Sequence, residues 1–336
     1  MSTPYPPALS PSQLTSLLDL AIDWSLAHGL VVRPKQAHLA NNAAVTHAPY
    51  SLFPSRYPRS AFDQAVRLQP IWNELIHKIS EDEAFLGEIM TDLSQIDDFV
   101  GNLYDIYLAV RREGIAQPVS LGLHRCDYLL HVPLDSNLAT TIPVIQQVEF
   151  NTISSSFGSL STLTGQMHRY LLAATNYYVE PGNIIAEQLP ENESIKSIAK
   201  GIAKAWESLK EAREARDYWL SLFYGYINAK QLIATICIHL KHMDGSAITL
   251  MVVQPNERNA FDQRWIEYNL LEKLGPFHLS FLTSDVGELE LQFFYTHSAS
   301  SSRPNSHHVR LIRRTLAEIA ELASLDPETK ALIMWV

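Results

Sequence analysis

The sequence predicts an α/β protein with a mainly helical N-terminal region. Three observations carry that reading. Apolar residues recur at helical spacing through much of the first half of the chain. Residues 144–151 instead alternate, as a strand does. From Ala247 onward, β-rich runs and helical runs take turns, the pattern of a sheet with crossover helices.

The first helix is marked at both ends. Ser10 can cap it, Pro11 takes the first helical position, and Gln13 completes a capping box. Leu14, Leu17, Leu18, Ala21 and Ile22 form its apolar stripe, and Gly29 is the terminator. Further helices are expected at about 60–79, 82–112, 159–177 and 193–214, with strands near 118–123 and 143–151. Residues 247–253 read as a strand and 254–259 as a loop. Asn259 can cap a helix over 260–274. A strand at 309–312, a helix at about 315–323 and a strand from Ala331 complete the pattern.

Composition narrows the function classes. The chain has 336 residues, 46% hydrophobic and 18% charged, a globular composition long enough for two domains. A formal net charge of −10 argues against nucleic acid or an anionic membrane as the main partner. Two cysteines, Cys126 and Cys237, do not make a disulfide framework and fit a reducing, cytoplasmic setting. The proline-rich start has neither a basic nor an apolar leader segment, so no signal peptide is expected. Residues 218–240 are long and apolar, but Asn228, Lys230 and Gln231 near their centre argue against a membrane span. None of the 13 histidines shows metal-ligand spacing, His307 and His308 included.

The richest stretch is residues 146–158. Alternation puts Val144, Gln146, Val148 and Phe150 on one face and Ile145, Gln147, Glu149 and Asn151 on the other. The first face suits a core. The second ends in a carboxylate and an amide two residues apart, hard oxygens suited to Mg²⁺. Ser154, Ser155, Ser156 and Gly158 then lead into a helix, whose free N–H groups can cradle a carboxylate or phosphate. The same residues also read as an ordinary strand end and a capped helix.

This stretch resembles the signature of the eukaryotic-type glutathione synthetase family of ATP-grasp ligases. The resemblance extends in order through residues 48–55, 62–75, 114–117, 121–128, 201–206, 257–264, 312–316 and 324–326. It implies an ATP-grasp-type ligase fold, with residues 1–200 in the N-terminal portion of the ATP-grasp region. Residues 201–336 would form a partial α/β substrate-binding domain. The implied reaction joins γ-glutamylcysteine to glycine through an acyl phosphate at the expense of ATP, with Mg²⁺ as cofactor, in a homodimer. By resemblance, Glu149 binds ATP and Mg²⁺, and Asn151 binds the same metal. Arg125, Ile153, Ser154, Ser155, Ser156, Glu257, Arg258, Asn259 and Gln263 contact substrate, and no side chain acts as a nucleophile. Without the resemblance, Arg125 reads as a surface loop arginine and residues 257–259 as a solvated loop.

Two stretches, about 217–243 and 275–306, have no counterpart in the resemblance and read as insertions. The family also continues past Val336. A second substrate-binding arginine, ATP-binding lysines, another acidic metal ligand and a glycine-rich loop are expected there. No phosphate-binding glycine pattern stands in this chain. The chain alone is therefore expected not to turn over. Unspliced in-frame segments and read-through to a stop are the expected source of these departures, with a genuine short variant as the alternative. Two other functional classes remain at this stage: a dipeptide-binding module without turnover, and a related ligase using another amine such as β-alanine.

Overall fold

The computed structural model describes residues 5–35, 44–114, 119–137, 141–152, 155–175, 184–217, 248–252, 257–274, 310–314 and 332–334. Helix α1, Pro11–His28, carries the expected capping box. The Gln13 N–H donates to Ser10 Oγ at 3.3 Å, and the Ser10 N–H donates to Gln13 Oε1 at 2.9 Å. Gly29 ends the helix at φ 75°, in the left-handed region that glycine enters without a Cβ penalty. A Cβ there would also sit 3.0 Å from the Trp265 indole nitrogen, so both backbone and packing call for glycine. The buried stripe of α1 is narrower than its sequence suggests. Leu17, Ala21 and Ser25 are inside, four residues apart, while Leu14 and Leu18 are 47% and 41% exposed.

That stripe packs on α5, Gly158–Thr175, the central element of the described residues. Leu160, Leu163, Met167 and Leu171 of α5 meet Leu17, Ala21, Leu30 and Ala48 in one apolar cluster. Burying each such large side chain contributes about 1.5–3 kcal/mol. Beyond α5 lie α6, Ser194–Asp217, and α7, Ala260–Leu274. Ala199, Ile202, Ala203, Ile266 and Leu270 form the second cluster, between these two helices.

Three small sheets complete the described fold. Val31–Val32 (β1) pairs antiparallel with Thr46–His47 (β2). Arg125–His131 (β3) pairs antiparallel with Val144–Asn151 (β4). Ile248–Val252 (β5) lies between Arg310–Arg314 (β6) and Leu332–Met334 (β7), parallel to both. Parallel neighbours need a crossover, and α7 lies in the one between β5 and β6. The chain is thus of mixed α/β character.

The expected helix at 82–112 is two helices, α3 at Glu83–Leu93 and α4 at Asp98–Glu113. Asp97 makes the break by accepting the Val100 N–H at 2.9 Å, a new N-cap inside the expected run. Before it, α2 runs over Arg59–Glu81. The strand expected near 118–123 lies further on. Residues 119–124 are irregular, and pairing begins at Arg125 opposite Asn151. The insertions expected at 217–243 and 275–306 fall outside the described residues, apart from Asp217 at the end of α6. So do the apolar run at 218–240 and the helix expected at 315–323. No helix among the described residues is long and apolar enough to cross a membrane.

One buried histidine ties the segment after β2 to α5. His168 is nearly inside, with Nε2 2.8 Å from the Ser51 carbonyl oxygen. A carbonyl only accepts, so Nε2 carries the proton. Burial lowers the His168 pKa from 6.5, and the Ser51 hydrogen bond offsets part of that. The unfolded chain therefore takes up this proton more readily than the folded one. Its contribution to stability is whole above pH 6.5 and is lost as pH falls through the depressed folded value. His168→Gln should flatten part of the acid-side slope of unfolding free energy, measured by urea titration across pH. An unchanged slope would show that His168 is not held neutral.

Candidate functional site

The site is built on the end of the β3–β4 ribbon and the turn that leaves it. Arg125 pairs with Asn151 and Asp127 with Glu149 across the two strands. Cross-strand partners share a face, so all four side chains stand together. The opposite face carries Cys126 and Phe150. There, the Trp72 ring of α2 lies 6.0 Å from the Phe150 ring, and the His124 ring lies 5.3 Å from it. Burial pushes the Tyr128 phenol up to about 12, so it stays protonated at neutral pH.

A bulge changes the expected alternation. The register shifts after Asp127, so Tyr128 pairs with Gln147 and Val148 is left over. One extra residue inverts the parity of all that precedes it in the strand. Gln147 thus joins the Cys126 side, where its amide donates to the sulfur at 3.3 Å. Val144 and Val148, expected in the core, are 51% and 58% exposed. Parity holds only from Glu149 to Asn151, the part that carries the polar cluster.

The cluster sets one guanidinium against two carboxylates and so keeps a formal excess of one negative charge. Arg125 donates from Nε to Asp127 Oδ1 at 2.8 Å and from Nη2 to Oδ2 at 3.0 Å. Glu149 Oε1 lies 3.8 Å from Arg125 Nη2. The hydrogen bonds from Arg125 hold the Asp127 carboxyl below its usual value, against the opposing effect of burial. The same bonds raise the Arg125 pKa, so the guanidinium stays charged. The Asn151 amide donates to Glu149 Oε1 at 3.1 Å and reaches Asp127 Oδ2 at 3.4 Å.

These residues fit a divalent cation of limited appetite. Mg²⁺ takes one or two protein oxygens and completes its shell with phosphate and water. Glu149 is exposed and offers a carboxylate, and Asn151 offers an amide oxygen. The Asn151 nitrogen now faces the two carboxylates, so ligation by its oxygen requires the amide to turn over. Among the described residues, no three His, Cys, Asp or Glu side chains form a metal cage.

Residues 155–157 lead into α5. Ser155 Oγ donates to the carbonyls of Leu123 and Asn151, both at 3.3 Å. The Ser156 carbonyl faces Arg125 Nη1 at 3.4 Å. Phe157 follows with φ 71°, a left-handed conformation that costs a non-glycine residue about 1–3 kcal/mol. Ile153 and Ser154 lie outside the described residues.

The anion cradle expected at the start of α5 is real, but the protein fills it. Asp262, in the first turn of α7, puts its carboxylate there. It accepts the N–H groups of Phe157 at 2.6 Å, Ser159 at 2.8 Å and Leu160 at 3.0 Å. Ser159 Oγ donates to the Asp262 carbonyl at 2.6 Å. Asp262 is 4% exposed. No external carboxylate or phosphate can use these donors while Asp262 holds them.

Asp262 also brings in the loop before α7. Asn259 Nδ2 donates to Asp262 Oδ2 at 3.3 Å, and the Asn259 carbonyl accepts the Asp262 N–H at 3.1 Å. Its Oδ1 is buried with no partner among the described residues. The Glu257 carboxylate accepts the Asn259 N–H at 2.7 Å. Arg258 is exposed, and its Nε donates to the Arg33 carbonyl at 3.3 Å, while the Arg33 N–H donates back to the Arg258 carbonyl at 3.0 Å. Gln263 follows Asp262 on α7, half-buried. The structure thus links Arg125, Glu149, Asn151, Ser155 and Ser156 directly, and Asn259 through Asp262. Sequence reasoning missed Asp127 and Asp262. The Arg125–Asp127 spacing of two was the same signal as Glu149–Asn151. Nothing local marks Asp262, whose partners lie about a hundred residues upstream.

The family model described as eukaryotic glutathione synthase, ATP binding domain, matches residues 11–331. Glutathione synthetase of Mus musculus is 36% identical over 261 residues, 78% of this chain and 46% of that protein. The Homo sapiens protein is 32% identical over 321 residues, 96% of this chain and 51% of that protein. The chain spans about half the length of the curated relatives it matches. A glutathione synthetase-like effector of Globodera pallida, solved in the apo form, superposes with a TM-score of 0.57 at 20% identity. That likeness covers 93% of this chain and 52% of that one, and it concerns the fold.

Asp262→Asn keeps the shape of the cap but sets an amide NH₂ against backbone N–H donors. Losing charge-assisted bonds in a buried cap should cost about 2–3 kcal/mol. Equilibrium unfolding in urea should show that loss, and a change within experimental error would contradict the cap.

Proposed function

The chain belongs to the eukaryotic glutathione synthase family, and from that premise we propose that it forms the dipeptide- and metal-binding part of an ATP-dependent ligase. The reaction joins γ-glutamylcysteine to glycine. The cysteinyl carboxylate takes the terminal phosphoryl group of ATP to give an acyl phosphate. The glycine amine then attacks the acyl carbon, and phosphate leaves. The observation that supports this reading best is the face shared by Arg125, Glu149 and Asn151. It sets an anion-binding cation beside two hard oxygen ligands at one strand end.

Each residue has a definable task. The Nη1 side of Arg125 faces the Ser155–Ser156 turn and suits a substrate carboxylate, with two parallel N–H donors. Glu149 and Asn151 would hold Mg²⁺, and Glu149 would thereby stand beside the ATP phosphates. When bound, the metal supplies charge neutralisation at the transferring phosphoryl group. Asn259 Oδ1, a buried acceptor with no partner among the described residues, suits an N–H of the dipeptide. Ile153, Ser154, Glu257, Arg258 and Gln263 complete the proposed substrate contacts. Catalysis then rests on positioning and electrostatics, without a protein nucleophile.

The finer architecture follows the same reading. Residues 1–200 belong to the N-terminal portion of an ATP-grasp region, and 201–336 to the substrate-binding α/β unit. A homodimer in the cytoplasm is the proposed working state.

The test uses a protein that completes this chain to the length of its curated relatives. ADP release with γ-glutamylcysteine, glycine, ATP and Mg²⁺ should fall by orders of magnitude in Glu149→Ala and by less in Asn151→Ala. Water partly replaces a neutral amide ligand more readily than a carboxylate. Arg125→Ala should raise KM for the dipeptide about ten- to a hundred-fold, and KM for ATP much less. Equal effects on both substrates, or metal variants that simply unfold early, would sink the assignment.

A further inference from the structure

We propose that Asp127 is a positioning residue of this site, one that fixes which edge of Arg125 meets the substrate carboxylate. The proposal rests on the dipeptide-binding role assigned to Arg125 above. A guanidinium has two forks that match a carboxylate: a side fork of Nε and Nη2, and an end fork of Nη1 and Nη2. Asp127 takes the side fork with both oxygens, at 2.8 and 3.0 Å. The end fork is left toward Ser155 and Ser156, where, among the described residues, Nη1 makes a long 3.4 Å contact with the Ser156 carbonyl. An incoming carboxylate therefore meets one edge, in one plane.

Asp127 also keeps Arg125 away from the metal ligand. Glu149 Oε1 is already 3.8 Å from Nη2. With Asp127 gone, Glu149 becomes the nearest anion, and the guanidinium closes on it. That motion turns the end fork away from the substrate and covers the carboxylate proposed for Mg²⁺. The Asn151 amide, which also reaches Asp127, loses one of its two carboxylate acceptors. Asp127 thus acts through Arg125 and need not touch the substrate.

A double-mutant cycle tests this. γ-Glutamylcysteine is titrated calorimetrically into the unaltered protein, Asp127→Ala, Arg125→Ala and the double variant, with thermal unfolding followed in parallel. Asp127→Ala should weaken binding about ten-fold. In the Arg125→Ala background, the same change should add less than about two-fold, because its route to the substrate is already gone. A purely structural aspartate would weaken both backgrounds alike, and that result overturns the proposal. So does unchanged affinity in Asp127→Ala. If Asp127→Ala fails to fold, Asp127→Asn replaces it in the same cycle, with the same two outcomes expected or contradicting. No dipeptide binding by the unaltered protein would instead overturn the role given to Arg125, and the role of Asp127 with it.

Discussion

A buried carboxylate at a helix start holds the candidate site together. Asp262 sits in the first turn of α7 yet satisfies the N–H groups at the start of α5 that have no partner within that helix. A helix start carries partial positive charge, so a carboxylate is well matched to it. Two consequences follow. The left-handed Phe157 persists because its N–H is pinned by that carboxylate. The turn containing Ser155 and Ser156 is then fixed relative to the loop containing Glu257 and Asn259, though they lie about a hundred residues apart. Apolar packing of α5 against α1, α6 and α7 supplies the bulk of the stability. Asp262 supplies the registration.

On that fixed frame, the β3–β4 ribbon contributes charge. Arg125 and Asp127 form a side-on pair, with Glu149 and Asn151 beside them on the same face. The bulge at Val148 confines this polar face to the strand end nearest α5. A partly exposed pair of this kind adds little to stability. What it adds is direction, since Asp127 holds one edge of Arg125 and the Asn151 amide donates to Glu149. For the ligase reaction proposed above, direction is the larger need.

Much of this was legible in the sequence, for physical reasons. The box of Ser10 and Gln13 and the stop at Gly29 follow from local chemistry and appear where expected; the helix at 260–274 also appears, although the expected side-chain cap by Asn259 does not form, its Oδ1 having no partner among the described residues. The β5–α7–β6 alternation also reads directly, because a crossover helix leaves a long and distinct pattern. The Glu149–Asn151 pair was legible because strand parity holds over two residues. Over eight residues it failed, since a bulge leaves no mark in the sequence and moved Gln147 to the other face. The break at Asp97 was a cap inside an otherwise continuous helical pattern. The serine-rich helix start was correctly read as wanting an anion. Which anion it receives depends on α7, a non-local fact, and so the internal occupant was missed.

Amide hydrogen exchange tests the central role of Asp262 most directly. In the unaltered protein, the amides of Phe157, Ser159 and Leu160 should be protected nearly as well as those of Met167 and Leu171 in the middle of α5. In Asp262→Asn, the first three should exchange much faster while the middle of the helix keeps its protection. If these three amides exchange in the unaltered protein as fast as a frayed helix end, Asp262 does not hold the turn. The two parts of the site would then have to be brought together by something else.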